Sequence, residues 1–207
     1  MDNNPVIAIV MATMLEAKPF VDGMSLKEIE TTPFKLFSNG RTRLIISGIG
    51  KSNAAMAATY LCLNFNPVCV CNLGAAGATH FSHPPGKIFH ITKVFEHDRP
   101  DFKSGSPHIH TPHTLEHFQT EKLATADKAV LAPDERKRIS ADAGLVDMEG
   151  AAVIQACRKF QTKCVLFKFV SDTPDHTRNE DIVSNIRLYR AQFYTFFATV
   201  VLPVLSK

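Results

Sequence analysis

An α/β fold with a largely buried, mixed sheet is the architecture that this sequence predicts. Short apolar runs, typical of buried strands, alternate along the chain with segments rich in Ala, Met and Leu, which favour helices. Between two of the apolar runs stands the pair Asn39-Gly40, a hairpin signal because both residues tolerate a positive φ. No internal repeat or linker interrupts the pattern, and a chain of 207 residues that is 45% hydrophobic has the size of one domain, covering 1–207.

The same patterns predict the order of the elements. Strands are expected at 6–12, 34–37, 43–47, 68–73, 87–95, 143–146 and 164–170. Helices are expected at 52–64, 148–159 and 181–202. Residues 97–117 have no period and are rich in Pro, His, Ser and Asp, so they are predicted to form a long loop. Residues 123–131 are predicted to hold a short strand and a turn, and the mixed-charge segment 134–138 is predicted to form a solvated helix face.

Composition and charge exclude several classes of function. A net charge of +3 is too small to indicate a nucleic-acid partner or an anionic membrane surface. The N-terminus has an acid before its apolar run and lacks the pattern of a signal-peptide cleavage site. The apolar run 193–205 is shorter than the about 20 residues that span a bilayer, so we expect it to be the buried face of a last helix. We therefore expect a cytoplasmic protein.

The cysteines indicate a reducing compartment rather than a disulfide framework. Their number is odd, and all of them stand in apolar stretches. A zinc site would need a second pair of ligands at a suitable spacing, and the C-x-C pair of this chain has none. We expect inert core thiols at Cys62, Cys69, Cys71, Cys157 and Cys164.

Acidic and glycine-rich segments follow the predicted strands, at the ends where α/β proteins bind ligands. Glu16 follows the first strand, and the glycine-rich segments 47–50 and 74–77 follow later ones. Neither glycine-rich segment has the pattern of a dinucleotide-binding turn or of a P-loop. The remaining strand ends carry the acidic segments 147–149 and 171–172. Each segment alone is compatible with a tight turn or a solvated acid, but together they predict one site.

Three acidic groups at one edge of a sheet suit the cleavage of an N-glycosidic bond. The reaction passes through a cationic, oxocarbenium-like sugar. It needs an acid that protonates the departing base, a carboxylate that activates water and a group that holds the ribose hydroxyls. Two carboxylates in different environments can divide the first two roles. Glycine-rich turns let backbone amides approach the ligand closely.

Five segments of the chain resemble the superfamily of purine nucleoside phosphorylases and uridine phosphorylases, and within it the 5′-methylthioadenosine/S-adenosylhomocysteine nucleosidases. The segments occur in that family's order as IAIVMATMLEAKPF, SGIGKSNAAMAAT, NLGAAGA, VDMEGAAV and FVSDTPD. The resemblance covers most of the chain and is weakest from about residue 97 to residue 140. It implies a three-layer α/β/α sandwich around a mixed, barrel-like sheet, a homodimer and a small nucleoside as ligand. We expect no cofactor.

The resemblance implies a role for each residue of these segments. Glu16 is expected to activate the nucleophilic water. Asp172, supported by Ser171, is expected to protonate or hydrogen-bond the leaving base at N7, and Glu149 is expected to hold the ribose hydroxyls. The other residues expected to contact the substrate are Ile49, Gly77, Val130, Asp147 and Met148.

Three positions differ from the pattern of the resembled nucleosidases. The first acid of their Glu-Met-Glu motif is Asp147 here, and the serine of their glycine-rich segment is Ala75. Ala129 stands where the family places a phenylalanine that stacks on adenine, a contact that can contribute about 1 kcal/mol. The resemblance therefore leaves several substrates open, namely methylthioadenosine, S-adenosylhomocysteine and, for the alternative menaquinone route, futalosine or aminofutalosine.

Hydrolysis is favoured over phosphorolysis by the residues near the expected site. The resembled phosphorylases bind phosphate with arginines, whereas the first turn, 11–16, contains no arginine and carries Glu16. Lys51 could contact an anion, but it opens a predicted helix and is expected to point away. A phosphate-dependent phosphorylase and an inactive nucleoside-binding relative remain as alternatives. The presence of Glu16, Glu149 and Asp172 argues against the inactive relative.

The histidine-rich segment 108–113 is predicted not to bind a metal, because no acid or cysteine completes a recognisable ligand spacing. In the resembled family, this region of the chain reaches the active site of the neighbouring subunit. We therefore expect Phe102, together with residues 97–98, to close the pocket of the neighbouring subunit near the 5′ substituent.

Overall fold

The computed structural model describes residues 6–206 and contains a mixed ten-stranded sheet. Its strands are Ile7–Met11 (β1), Lys27–Glu30 (β2), Lys35–Ser38 (β3), Thr42–Ile46 (β4), Cys69–Ala78 (β5), Ile88–Pro100 (β6), Pro107–His110 (β7), Thr120–Thr125 (β8), Leu145–Asp147 (β9) and Lys163–Asp172 (β10). The α-helices are Met14–Gly23 (α1), Lys51–Phe65 (α2), Pro133–Ile139 (α3), Gly150–Lys159 (α4), Asn179–Phe196 (α5) and Leu202–Leu205 (α6). A π-helical segment, Phe197–Val201, joins the last two.

Part of the sheet closes into a ring in the order β10-β6-β8-β9-β5, because β5 and β10 also pair with each other. The long strand β5 pairs along its other edge with two strands in succession. Its first residues, 69–72, pair with β1, and its last residues, 77–78, pair with β9. The strands β4, β3 and β2 continue the sheet outward from β1, and β7 pairs with β6 outside the ring. The predicted mixed, barrel-like sheet is confirmed.

Helices cover both faces of the sheet. Helices α2 and α4 pack on one face, where their alanine and leucine side chains bury Ala8 and Val10 of β1. Helices α1 and α5 pack on the other face with Ile9 and Met11. Successive residues of β1 therefore enter different layers, as the two-residue period of a strand requires. The predicted three-layer α/β/α arrangement is confirmed, and the five cysteines are free and buried in these layers, as expected.

Residues 97–117 form the predicted long loop only in part, at 101–106 and 111–117, and the other residues belong to strands. Strand β6 continues to Pro100, and the chain returns as β7, so that Val94 pairs with His110 in an antiparallel hairpin. His110 is buried, and its Nε2 lies 2.7 Å from Glu96 Oε1. The prediction was wrong because the outer part of this hairpin is exposed to water on both sides, so no alternation of apolar residues marks it.

Two shorter predictions also need correction. Residues 74–77 do not form a glycine-rich turn but belong to β5, which runs on to Ala78. Strand β2 was not predicted at all, because it is a mostly exposed edge strand without an apolar face. Both errors have the same cause. The pattern of apolar residues in a strand depends on which of its faces the rest of the fold covers, and the sequence alone does not show this.

The last helix packs on the core along one face. Phe193, Phe197 and Val201 are buried and contact Phe20 and its neighbours, as expected for the apolar run 193–205. In the described part of the chain, one helical stretch, Asn179–Leu205, has the length and the apolar composition that would allow it to cross a membrane. Its three buried side chains anchor the stretch to the same layer as α1.

Candidate active site

A cavity of about 490 Å³ lies where the mutually parallel strands β1, β4, β5 and β10 end. Strand β9 runs antiparallel to β5, but its end reaches the same place because it pairs only with the last residues of β5. The cavity brings together nine residues that the sequence analysis singled out, namely Glu16, Ile49, Gly77, Val130, Asp147, Met148, Glu149, Ser171 and Asp172.

Glu16 is held against the cavity wall by two hydrogen bonds. It lies in the first turn of α1, which Thr13 caps. Thr13 Oγ1 donates to Glu16 Oε2 at 2.7 Å, and the backbone N–H of Ala75 donates to Oε1 at 2.8 Å. A Cβ at position 74 would lie 2.8 Å from Glu16 Oε1 and would displace this oxygen, so Gly74 leaves room for it. The orientation of this carboxylate is therefore set by the protein.

Glu149 is a buried carboxyl with a raised pKa. It immediately precedes α4, and its Oε1 accepts a hydrogen bond from the backbone N–H of Gly50 at 2.9 Å. Gly50 has a φ of 99°, in the region that favours glycine. Burial, the largest cause, and the charge of Asp147 raise the pKa of Glu149 to about 7, although Lys168 acts in the opposite direction. The charge of Glu149 therefore changes near neutral pH.

Asp147 also lines the cavity, but protein groups occupy its carboxylate. Lys168 Nζ lies 2.8 Å from Oδ2, and the backbone N–H of Gly150 donates to the same oxygen at 2.8 Å. Thr125 Oγ1 donates to Oδ1 at 2.6 Å. Burial alone would lower the pKa of Lys168, but the charges of Asp147 and Glu149 outweigh burial and raise it. These contacts support the backbone beside Glu149, and a direct contact of Asp147 with a substrate stays a prediction.

Asp172, the last residue of β10, forms a buried ion pair with Arg136 of α3. Ser171 Oγ donates to the other carboxylate oxygen, so both oxygens are engaged. Arg136 is only 1% exposed. The prediction that 134–138 forms a solvated helix face is therefore wrong for Arg136, although Lys137 and Arg138 beside it are exposed.

The sequence of this chain matches a described protein family over nearly its whole length. A family model described as the phosphorylase superfamily matches residues 6–132 and 113–202. The chain belongs to the phosphorylase superfamily. The resemblance that the five sequence segments indicated is thus confirmed at the level of the superfamily.

Relatives within this superfamily include nucleosidases. The 5′-methylthioadenosine/S-adenosylhomocysteine nucleosidase of Bacillus cereus (strain G9842) is 30% identical over 196 residues, which cover 80% of this chain and 85% of that protein. The crystal structure of the Helicobacter pylori enzyme of that name, with butyl-thio-DADMe-Immucillin-A, has a TM-score of 0.85 at 19% identity and covers 98% of this chain and 100% of its own. Futalosine hydrolase of Helicobacter pylori has a TM-score of 0.84 at 20% identity, with coverages of 96% and 98%. At these identities, the solved structures show that the fold is shared.

Two cations of this phosphorylase-superfamily site were missed by the sequence analysis. Lys168 stands alone in an apolar strand, and a lysine in such a position signals a buried carboxylate partner. Arg136 stands three residues before Ile139, and the two share the buried face of α3. Helical spacing could have marked Arg136 as buried, but its partner Asp172 lies 36 residues further along the chain.

Three other predicted positions have different outcomes. Ala129 lines the cavity, and none of the described residues that line it is aromatic. Lys51 points away from the cavity, as predicted, because its Nζ lies 2.6 Å from Asp98 Oδ1. Phe102 is fully exposed beyond the end of β6 and does not line the cavity of its own chain. Its contact with a neighbouring subunit stays a prediction.

Within residues 6–206, one group of side chains has ligand atoms close enough to hold a metal ion. His80, His83 and Glu121 have ligand atoms within 4.8 Å of one another. A hydrogen bond accounts for the closest approach, since His83 Nε2 lies 2.6 Å from Glu121 Oε2. None of the three lines the cavity, and none belongs to the histidine-rich segment 108–113.

Proposed function

We propose that the chain is a nucleosidase that hydrolyses the N-glycosidic bond of a purine nucleoside, such as 5′-methylthioadenosine, S-adenosylhomocysteine, futalosine or aminofutalosine. The observation that carries the proposal is the convergence of Glu16, Glu149 and Asp172 on one cavity. The relatives support it, because they include 5′-methylthioadenosine/S-adenosylhomocysteine nucleosidases and a futalosine hydrolase.

In the proposed reaction, Asp172 serves the departing base. The N-glycosidic bond breaks with its electron pair on the base, so the carboxylic acid form of Asp172, by donating a hydrogen bond or its proton to N7, makes the base a better leaving group. Ser171 and Arg136 hold the two carboxylate oxygens of Asp172, so its direction is set before a substrate arrives. General acid catalysis of this kind contributes about 10²–10⁴-fold to the rate.

Glu16 and Glu149 serve the sugar. As the base leaves, positive charge develops on the ribose, and nearby carboxylates stabilise it. Glu16, whose oxygens are fixed by Thr13 and Ala75, accepts a proton from the attacking water. Glu149 in its ionised form accepts hydrogen bonds from the ribose hydroxyls, and Met148 packs on the sugar.

Water, rather than phosphate, is the proposed nucleophile. Among the described residues that line the cavity, the cations are Lys128 and Arg136. Arg136 already pairs with Asp172, and Lys128 Nζ lies 3.0 Å from Glu135 Oε1. Lys51, outside the cavity, is turned toward Asp98. The negative charge of Glu16 disfavours a phosphate ion beside it.

The proposal includes a homodimer in the cytoplasm. Phe102 is the largest fully exposed apolar side chain of the hairpin formed by β6 and β7, and contact with a second copy would cover it. In that arrangement, Phe102 closes the pocket of the neighbouring subunit near the 5′ substituent. This part is supported if the chain is a dimer in solution and if Phe102→Ala remains a dimer but is less active on substrates with a large 5′ group. A fully active monomer contradicts it.

Product analysis tests the proposed reaction directly. The purified chain is incubated with methylthioadenosine, S-adenosylhomocysteine, aminofutalosine, futalosine and inosine, with and without phosphate, and the base and sugar products are identified by mass spectrometry. Base release without phosphate is expected. Release only with phosphate, as a sugar 1-phosphate, would make the chain a phosphorylase and remove the role of Glu16.

Substitutions connect that activity to the cavity. Asp172→Asn is expected to lower kcat by about 10²–10⁴-fold, because asparagine cannot deliver a proton. The matched control is Asp175→Asn, which removes an exposed carboxylate three residues away and should leave kcat unchanged. Equal losses in the two variants would contradict the role of Asp172.

A further inference from the structure

The side chain of Arg136 organises the polar atoms at one end of the cavity. Its Nε donates to the carbonyl oxygen of Val130 at 2.8 Å, and one terminal nitrogen, Nη1, donates to the carbonyl oxygen of Ala78 at 2.8 Å. The other, Nη2, bonds to Oδ2 of Asp172. Arg136 lines the cavity although it is almost wholly buried. Three acceptors at this end of the cavity therefore already receive a hydrogen bond from the same guanidinium.

The N–H groups that remain available at this end of the cavity belong to Arg136. A guanidinium carries five N–H groups and no acceptor, so two N–H groups of Arg136 are left beyond these three bonds. The second oxygen of Asp172 already accepts from Ser171. Gly77 leaves the space open, since a Cβ there would lie 3.2 Å from Nη2 of Arg136 and 2.8 Å from Oδ2 of Asp172. Arg136 and Asp172 thus present adjacent groups over the same glycine.

Purines differ in the hydrogen-bonding groups that they carry on the edge formed by N7 and the substituent at position 6. A 6-oxopurine carries two acceptors there, O6 and N7, whereas a 6-aminopurine carries the acceptor N7 and an amino donor. Arginine is the side chain that most often recognises the O6 and N7 pair, because its planar donors match it. A 6-amino group next to Arg136 would place a donor against a donor, which is the kind of mismatch that creates specificity.

We propose that Arg136 makes this site select nucleosides of 6-oxopurines over those of 6-aminopurines. The inference rests on the proposed function in placing the base beside Asp172. Arg136 donates to O6, while Asp172 in its carboxylic acid form donates to the neighbouring N7. Each carbonyl and carboxylate oxygen retains a second lone pair, so a 6-aminopurine can still bind and the selection is a preference.

Pairs of substrates that differ only at position 6 test the proposal. The ratio of kcat/KM is measured for inosine against adenosine and for methylthioinosine against methylthioadenosine. The wild-type chain is expected to prefer the 6-oxo member by about tenfold or more, the discrimination that one good arginine contact gives. Arg136→Met, which removes every donor, is expected to reduce this ratio at least about tenfold, and Arg136→Lys to restore part of it. A partly unfolded variant would lower both rates and leave their ratio unchanged.

Matched controls and a binding measurement keep the proposal separate from the proposed function. Arg138→Met removes an exposed arginine from the same helix and should leave the ratio unchanged. The binding of free hypoxanthine and of free adenine, measured by calorimetry, needs no turnover. It therefore decides the base preference even if no nucleoside is cleaved. The absence of cleavage would contradict only the proposed function. Wild-type protein that binds adenine as tightly as hypoxanthine, or better, would overturn the proposal whether or not Arg136→Met folds.

Discussion

Two buried ion pairs stand beside the same cavity, and they differ in what surrounds them. In the first pair, Lys168 of β10 meets Asp147 of β9, and the carboxylate also accepts from Thr125 and from the backbone of Gly150. Both partners lie on strands, and Lys168 does not line the cavity. In the second pair, Asp172 ends β10, and Arg136 comes from the short helix α3 and lines the cavity itself.

The difference gives the two pairs different expected roles, one as support of the fold and the other, in the proposed function, as part of the surface that binds the base. The pair of Lys168 and Asp147 ties β9 to β10 immediately before Glu149 and influences the pKa of that carboxyl. The pair of Arg136 and Asp172 places its polar groups where a ligand can reach them. Substitutions in the first pair should therefore change stability and pH dependence, and substitutions in the second should change catalysis and base preference.

The largest effect is expected from Lys168→Met, which leaves the buried Asp147 without its cation. Breaking a buried pair in this way should lower the free energy of unfolding by about 3–5 kcal/mol, measured by denaturant titration. The double variant Lys168→Met with Asp147→Asn removes the isolated charge and should recover part of the loss. Lys163→Met, at the exposed start of the same strand, serves as the control and should change stability little. A single Lys168→Met variant as stable as this control would show that the pair does not support the fold.

A change in the pH dependence of kcat/KM is the next largest expectation. In the proposed reaction, Glu149 accepts the ribose hydroxyls in its ionised form, and burial and Asp147 raise its pKa to about 7. The profile should therefore fall about tenfold per pH unit below that value, as expected for one essential ionised group. Asp147→Asn removes one of the charges that raise this pKa, so its falling limb should move to lower pH. If the falling limb stays at the same pH in Asp147→Asn, the pair of Lys168 and Asp147 does not influence the pKa of Glu149.

The smallest effect is expected from Ala129→Phe, which changes the cavity wall without touching either pair. An aromatic ring at this position can stack on the base and should tighten its binding by about 1 kcal/mol, or roughly fivefold. Calorimetry with the free base measures the gain, and Ala132→Phe, at an exposed position next to α3, is the control. The stability and the pH profile should not change. A shift in either would mean that the new ring disturbs the ion pairs.

Most of the fold and many of the lining residues could be predicted from the sequence because they depend on local pattern. The apolar runs of β1, β4, β5 and β10 have buried neighbours on both faces, so their composition alone marks them as strands. Glu16 and Asp172 were found because each stands at or just after the end of such a strand, and parallel strands end at one edge. Their roles in a reaction still await the experiments above.

The elements that escaped prediction are those whose environment is set by distant parts of the chain. The outer part of the hairpin of β6 and β7, at 97–100 and 107–109, has no buried residue on either side, so it carries no apolar period. In α3, three successive basic residues look alike in the sequence, yet only Arg136 among them is buried, because Asp172 and two carbonyl oxygens accept its hydrogen bonds. The same holds for Lys168, whose partner lies on another strand.

Composition and spacing along the chain therefore predict the α/β class, the order of most of the strands and the acids that follow them. The tertiary structure alone decided that the strands close into a ring, that Asp147 faces Lys168 and that Arg136 enters the cavity. The physical reason is the cost of burial. A charged side chain can leave water only when a partner is already in place, and that partner is supplied by the fold rather than by neighbouring residues.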